Sequence, residues 1–256
     1  RRIGMSFIVD GRWQGPVVDQ HIHLDTSNRY LSAIDEFVKT GGTGIVLVHK
    51  PNFSGKLPVD KDGYRKAYSE TISMAEEVRK KFAITVGLAL GPHPVVWEKQ
   101  ISDLGIEKST ELHLDSIDLA LDLIEQGKAH CLGEVGRPHY QVNEQTWRHA
   151  NENLTQIMAE AGSAKVHIQL HVEDAGAQTY SELSQMAIKA GLPLEKAIRH
   201  YAPANISSEF THGLSCTVSV GRGSIQGIIS SHTNASAPWG METDFLDDPR
   251  RSGAVL

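Results

Sequence analysis

Val17-Val18-Asp19-Gln20-His21-Ile22-His23-Leu24-Asp25 opens on apolar, β-branched residues and then sets two histidines two positions apart. Side chains alternate faces along a strand, so His21 and His23 share one face. Two neutral imidazoles at the end of a strand can grip one divalent cation. The alternative is a surface strand whose histidines serve ordinary polar roles. What the rest of the chain brings to this pair decides between the two.

Outward from that stretch, apolar runs and helical patterns alternate. The first strand reads as 16–23, preceded by Gly11-Arg12-Trp13 as a short hairpin or extension. Ser27-Asn28 can cap a helix over 29–39, which Gly41-Gly42 ends. Gly44-Ile45-Val46-Leu47-Val48 is wholly apolar, as expected of a strand buried on both faces. Residues 51–61 read as loop, and 63–81 as a long helix. A third strand over 83–90 leads into the loop Gly91-Pro92-His93-Pro94. Residues 97–113 read as irregular or partly helical, and 116–126 as a helix stopped by Gly127. Strands four and five read as 129–134 and 165–171, separated by a helix over 143–161 that Gly162 closes. After a helix over 176–190 closed by Gly191, 194–200 runs into strand six. Strand seven reads as 216–220, with 223–229 as turn and helix, and strand eight as 239–244.

About eight alternations in 256 residues, with no internal repeat and no interdomain linker, predict one domain spanning the chain. The pattern favours a closed (β/α)8 TIM barrel over a doubly wound sheet. Residues 245–256 leave little room for a last helix, so that helix is expected to be short or missing, or the chain truncated.

The composition is that of an ordinary globular chain, 40% hydrophobic and 22% charged. No apolar run approaches the ~20 residues of a membrane span, and no secretory leader is read at the N-terminus. Cys131 and Cys216 form no CxxC motif and no disulfide framework, so a cytoplasmic setting is expected. The net charge of −6 argues against a broad basic nucleic-acid footprint. A nucleic-acid substrate stays open, because bound metal supplies local positive charge. Thirteen histidines justify a search for ligand clusters.

In such a barrel, residues at the C-terminal ends of strands face the active-site mouth. His21 and His23 end strand one, Glu134 strand four, His171 strand five, His200 strand six and Asp244 strand eight. Four histidines and two carboxylates thus fall at strand ends dispersed along the chain. In strand five, polar His167, Gln169 and His171 alternate with apolar Val166, Ile168 and Leu170. The polar set is expected in the lumen, with His167 and Gln169 supporting the ligands rather than joining them.

These motifs resemble the TatD family of metal-dependent hydrolases, within the amidohydrolase superfamily. The likeness is carried by Asp19-Gln20-His21-Ile22-His23-Leu24-Asp25, Gly133-Glu134-Val135-Gly136, His171, His200 and Glu242-Thr243-Asp244. Gly91-Pro92-His93-Pro94 is similar to the family's Gly-x-His-Pro. The resemblance runs from about residue 17 to 249 and implies a (β/α)8 barrel, one to three divalent ions and phosphodiester hydrolysis, often of DNA ends. It implies one ion on His21, His23, Glu134 and Asp244, and a second on His171 and His200 with Glu134 bridging. Arg137-Pro138-His139-Tyr140 stands where the family has Leu-Asp-Tyr. Tyr201-Ala202-Pro203 follows His200 in place of the family's Cys-Phe-Ser-Gly stretch, and Phe245-Leu246-Asp247-Asp248-Pro249 replaces an Ala-Pro. These departures point to a divergent, archaeal-type branch and leave the substrate open.

The ligand set predicts one to two divalent ions, with Zn, Mn, Mg or Co all compatible. Two ions roughly 3.5–4 Å apart would activate a shared water. Glu134 and Asp244 are the catalytic candidates, Asp244 as both ligand and proton acceptor. His93 and Arg137 are candidates for binding an anionic substrate group, Arg137 through a bidentate contact. His49, His113, His130, His139, His149, His212 and His232 are read as ordinary histidines, with His139 the nearest to a metal role. Cys131 and Cys216 are read as small buried hydrophobes. Asp25, Asp247 and Asp248 are read as capping or pairing nearby. Two substrate classes remain: phosphodiesters at nucleic-acid ends, or esters, lactones and amides such as an aminoacyl-tRNA. A non-catalytic barrel is the third reading, and no membrane partner is expected.

Overall fold

The computed structural model describes residues 7–53, 55–244 and 247–248. An antiparallel hairpin of β1 (Ile8–Val9) and β2 (Arg12–Trp13) precedes the barrel. Asp10 and Gly11 turn it with positive φ at both positions, the geometry a two-residue hairpin loop demands.

Eight parallel strands follow: β3 (Val18–Ile22), β4 (Gly44–Val48), β5 (Thr85–Leu90), β6 (Cys131–Gly136), β7 (His167–His171), β8 (Ala197–Ala202), β9 (Ser215–Ser219) and β10 (Trp239–Glu242). Each pairs in parallel with the next. The ring is completed where β10 returns to β3. The Asp244 N–H donates to the His21 carbonyl (2.9 Å) and the His23 N–H to the Asp244 carbonyl (3.1 Å). The expected TIM barrel is therefore what the chain forms.

The crossover helices are α1 (Leu31–Lys39), α2 (Lys61–Lys81), α3 (Pro94–Leu104), α4 (Ile106–Glu125), α5 (Glu144–Ala164), α6 (Ala177–Ala190), α7 (Ser208–Thr211) and α8 (Ser224–Ser231). They bury one stripe each against outward-facing strand residues such as Leu88, Leu132, Ile168 and Leu170, all with no exposed surface. Each such side chain contributes about 1.5–3 kcal/mol by leaving water. Most residues expected in the eighth crossover, 245–246 and 249–256, lie outside the described residues.

Two expectations need correction. Residues 97–113 are not irregular but belong to α3 and α4, parted by Gly105 with φ 79°. His93 caps α3 through Nδ1, which accepts the Val95 N–H, and Pro94 supplies the preset first helical φ. Gly162 does not end α5; the helix runs on to Ala164, and left-handed Lys165 ends it. A Cβ on Gly162 would stand 3.0 Å from the Gly191 carbonyl oxygen, so that glycine serves the approach of α5 to the end of α6.

Candidate metal centre

At the C-terminal rim, β3 places His21 and His23 on one face with their Nε2 atoms 3.4 Å apart. Both are buried. His23 Nδ1 lies 3.0 Å from the Val48 carbonyl oxygen, which can only accept, so Nδ1 carries the proton and Nε2 keeps its lone pair turned inward. Orientation by a carbonyl is how metal-binding imidazoles are commonly held.

Glu134, at the end of β6, sits between two groups of histidines. Its Oε1 is 3.1 Å from His23 Nε2 and 3.6 Å from His21 Nε2. Its Oε2 is 2.8 Å from His171 Nδ1, 2.9 Å from His200 Nε2 and 3.6 Å from His93 Nε2. Burial opposes its charge, but His200, His93 and His171 outweigh that and hold the carboxyl well below its usual range. Asp244 Oδ1 completes the β3 side, 3.5 Å from His23 Nε2 and 3.8 Å from His21 Nε2. Burial raises the Asp244 pKa despite the neighbouring histidines. All six expected ligands therefore meet at one rim.

Their supports were not foreseen. Glu242 is fully buried and accepts from His200 Nδ1 (3.3 Å), the Tyr201 N–H (2.9 Å) and the Thr217 hydroxyl. His139 places Nδ1 2.7 Å from His171 Nε2, so it holds the nitrogen that points away from Glu134. Asp19, buried below His21, accepts the Thr243 hydroxyl (2.6 Å) and N–H (3.1 Å) and so ties β3 to the residue after β10. Burial pushes the Asp19 pKa up to about 7. Alternation could have found two of these. Asp19 lies two residues before His21, and Glu242 two before Asp244, each on the ligand's own face.

The remaining candidates separate. His93 lines the cavity, with Nδ1 occupied by the Val95 N–H. Burial holds it neutral, so its proton sits on Nε2 and that atom is a donor. Arg137 is a correction. It is 1% exposed, forks onto Glu173, bonds Glu182 and Asn151 and stacks on Trp147, so its donors are committed between α5 and α6. His167 is likewise not in the lumen but exposed at the start of β7, whereas Gln169 reaches across to the Gln20 carbonyl (3.1 Å). Asp25 pairs nearby as expected, with Ser27 and Lys50, which hold its carboxyl down to about 2.

A divalent cation fits this arrangement. Among the described residues three donor groups converge: His21, His23 and Asp244; His93, Glu134 and His171; His21, His200 and Glu242. In the second, His93 is set aside by its proton; in the third, Glu242 is already engaged by Thr217 and Tyr201. That leaves His21, His23 and Asp244 on one side, His171 and His200 on the other, and Glu134 between. Facing imidazole lone pairs at 3.4 Å repel unless a proton or a cation lies between them, and with Nδ1 committed to the Val48 carbonyl the Nε2 of His23 is the atom that would meet a cation. A cavity of about 290 Å³ opens over these atoms, edged by Lys50, Phe53 and Lys99.

Barrel and rim together define a TIM-barrel protein in which five strands bring groups that could hold a metal ion to one end. The family model described as TatD related DNase matches residues 18–252, and the chain belongs to that family of hydrolases. An uncharacterized protein of Methanocaldococcus jannaschii is 28% identical over 244 residues, covering 94% of this chain and 83% of that protein. The crystal structure of a TatD family hydrolase from Entamoeba histolytica superposes with a TM-score of 0.54 at 12% identity, covering 86% of this chain and 73% of that one. Among the described residues no helix is long and apolar enough to cross a membrane.

Proposed function

We propose that the protein hydrolyses phosphodiesters at nucleic-acid ends, using one to two divalent cations. The observation that carries this reading is the two-sided setting of Glu134, with His21 and His23 on one oxygen and His171 and His200 on the other. Cations held there would supply Lewis-acid polarisation of the phosphoryl oxygen and a lowered pKa for water.

The chain's own groups do the rest. Asp244 accepts the proton of the attacking water. His93 Nε2–H donates to a non-bridging phosphoryl oxygen. Lys50 is paired with Asp25, so Lys99 is the cation that brings positive charge to the mouth of a chain that is acidic overall, which favours an anionic substrate over a neutral ester. The cavity of about 290 Å³ suits one terminal nucleotide rather than a duplex. The free, buried Cys131 and Cys216 support a reducing, cytoplasmic setting.

The test is a panel of metal-loaded protein on single-stranded DNA ends, a generic phosphodiester and a generic carboxyl ester, with a chelated control. Chelator-sensitive turnover of both phosphate substrates, weakening with added salt, is the expected result. Turnover of the carboxyl ester alone would replace this reading with an esterase or deacylase.

A further inference from the structure

Two buried arginines, neither of them facing the rim chemistry, meet at the loop that leaves β7. Arg137 stands one residue past β6 and Arg199 lies inside β8, the strands on either side of β7. We propose that they are positioning residues, which hold Glu173 and Asp174 and thereby set the place of His171 against Glu134 and His200. The proposal rests on the reading of Glu134 as the bridge between two cation sites, and is independent of which ester is cleaved.

The need arises in the strands. β6 and β7 are still paired at their ends, where Gly136 faces His171 and the Arg137 N–H donates to the His171 carbonyl (3.0 Å). Between β7 and β8 the register runs only from Ile168 with Ala197 to Leu170 with Arg199. That ladder stops one residue short of His171 and His200. Yet His171 Nδ1 and His200 Nε2 stand 3.2 Å apart, both on the same oxygen of Glu134. Main-chain pairing between their strands does not fix that spacing.

The arginine side chains take over where the ladder ends. Arg199 donates through Nη2 to the Glu173 carbonyl (3.3 Å) and to Asp174 Oδ1 (2.8 Å), with its guanidinium 4.7 Å from the centre of the Tyr180 ring. From the other side Arg137 forks onto the Glu173 carboxylate through Nε (2.7 Å) and Nη2. Trp147, Glu182 and Asn151 hold the rest of that guanidinium. The Thr179 hydroxyl donates to Glu173 Oε1 (3.1 Å) and accepts the Ala175 N–H (3.0 Å), which ties the same loop to α6. A forked pair fixes orientation as well as distance. A guanidinium cannot shed its charge, so a buried one keeps its anions where the fold puts it. Glu173, two residues after His171, is thus gripped by its carboxylate from the β6 side and by its carbonyl from the β8 side.

The experiment titrates zinc into metal-stripped protein against a chromophoric chelator, with thermal melts of the same samples. His171→Ala and His23→Ala mark which binding event belongs to which side of Glu134. Arg137→Met should weaken the His171-side event about tenfold and leave the other within about twofold. It should also lower Tm, because it strips a partner from a largely buried carboxylate. Adding Glu173→Met removes that carboxylate as well. Tm should then return, while the His171-side event stays about tenfold weak. Arg199→Met should weaken the same event and spare the other. Recovery of both Tm and zinc affinity in the double variant would overturn the proposal. So would equal weakening of both events, or unchanged affinity in the Arg137 and Arg199 variants. Wild-type protein with no binding event sensitive to His171→Ala would instead sink the two-cation reading, and the positioning role with it.

Discussion

The two sides of Glu134 are built differently. On the β3 side, His23 is fixed by a main-chain carbonyl, and Asp19 and Thr243 lock the strand beneath it to the return of β10. That scaffold is barrel closure itself. On the β7–β8 side, His171 and His200 are held by other side chains, His139 and Glu242. His139 is an exposed residue on the loop after β6, whereas Glu242 is fully buried. One half of the centre thus inherits its geometry from the fold, and the other depends on residues that can be changed one at a time.

Glu134→Ala removes the group both halves share and gives the largest effect. Metal-dependent hydrolysis should fall about a thousandfold or more, with unchanged far-UV circular dichroism and metal lost from both sides by elemental analysis. His23→Ala should lower hydrolysis comparably, with metal lost from the β3 side alone. Retained turnover in either variant would remove that residue from the mechanism. Glu242→Gln keeps the shape of the support but not its charge, so the His200 side should lose metal affinity about 10–100-fold, measured by competition with a chelator. His139→Ala should cost less, about tenfold, because solvent can replace an exposed partner, and His139→Asn should recover part of it. Equal losses in the Glu242 and His139 variants would erase the contrast between buried and exposed supports.

The convergence of the rim residues was legible in the sequence because strand ends of a parallel barrel converge whatever joins them, so locating the strands located the candidate site. What was not legible depended on loops and helix ends. Arg137 follows Gly136, whose φ of 150° and tight approach to β7 leave no room for a Cβ; a Cβ there would lie 1.9 Å from the His171 carbonyl oxygen. Leaving that point, Arg137 meets Glu173 and Glu182, far away in sequence, and no local pattern announces them. His139 reaches His171 by the same loop. The helices over 97–113 were obscured because Glu107, Lys108 and Glu111 dilute the apolar stripe, and Gly105 splits one helical run into two.

The smallest predicted effect examines the fold-derived half alone. Asp19 is buried against Thr243, and burial lifts its pKa from 3.8 to about 7. The folded protein therefore holds this proton more tightly than the unfolded chain does. Its contribution to stability is fully present below pH ~4 and is lost as pH rises through 7. Asp19→Asn cannot ionise and still offers an oxygen to the Thr243 N–H. Thermal melts of chelated protein between pH 4 and 7 should show a less negative slope of Tm against pH in the variant, with a difference of a few degrees across the window. The surrounding residues are the same in both proteins, so the difference between the curves reports on Asp19. Superimposable slopes would mean that Asp19 is already ionised under the barrel rim. The β3 side would then be held by a charged hydrogen bond to Thr243, a different kind of lock from a neutral one.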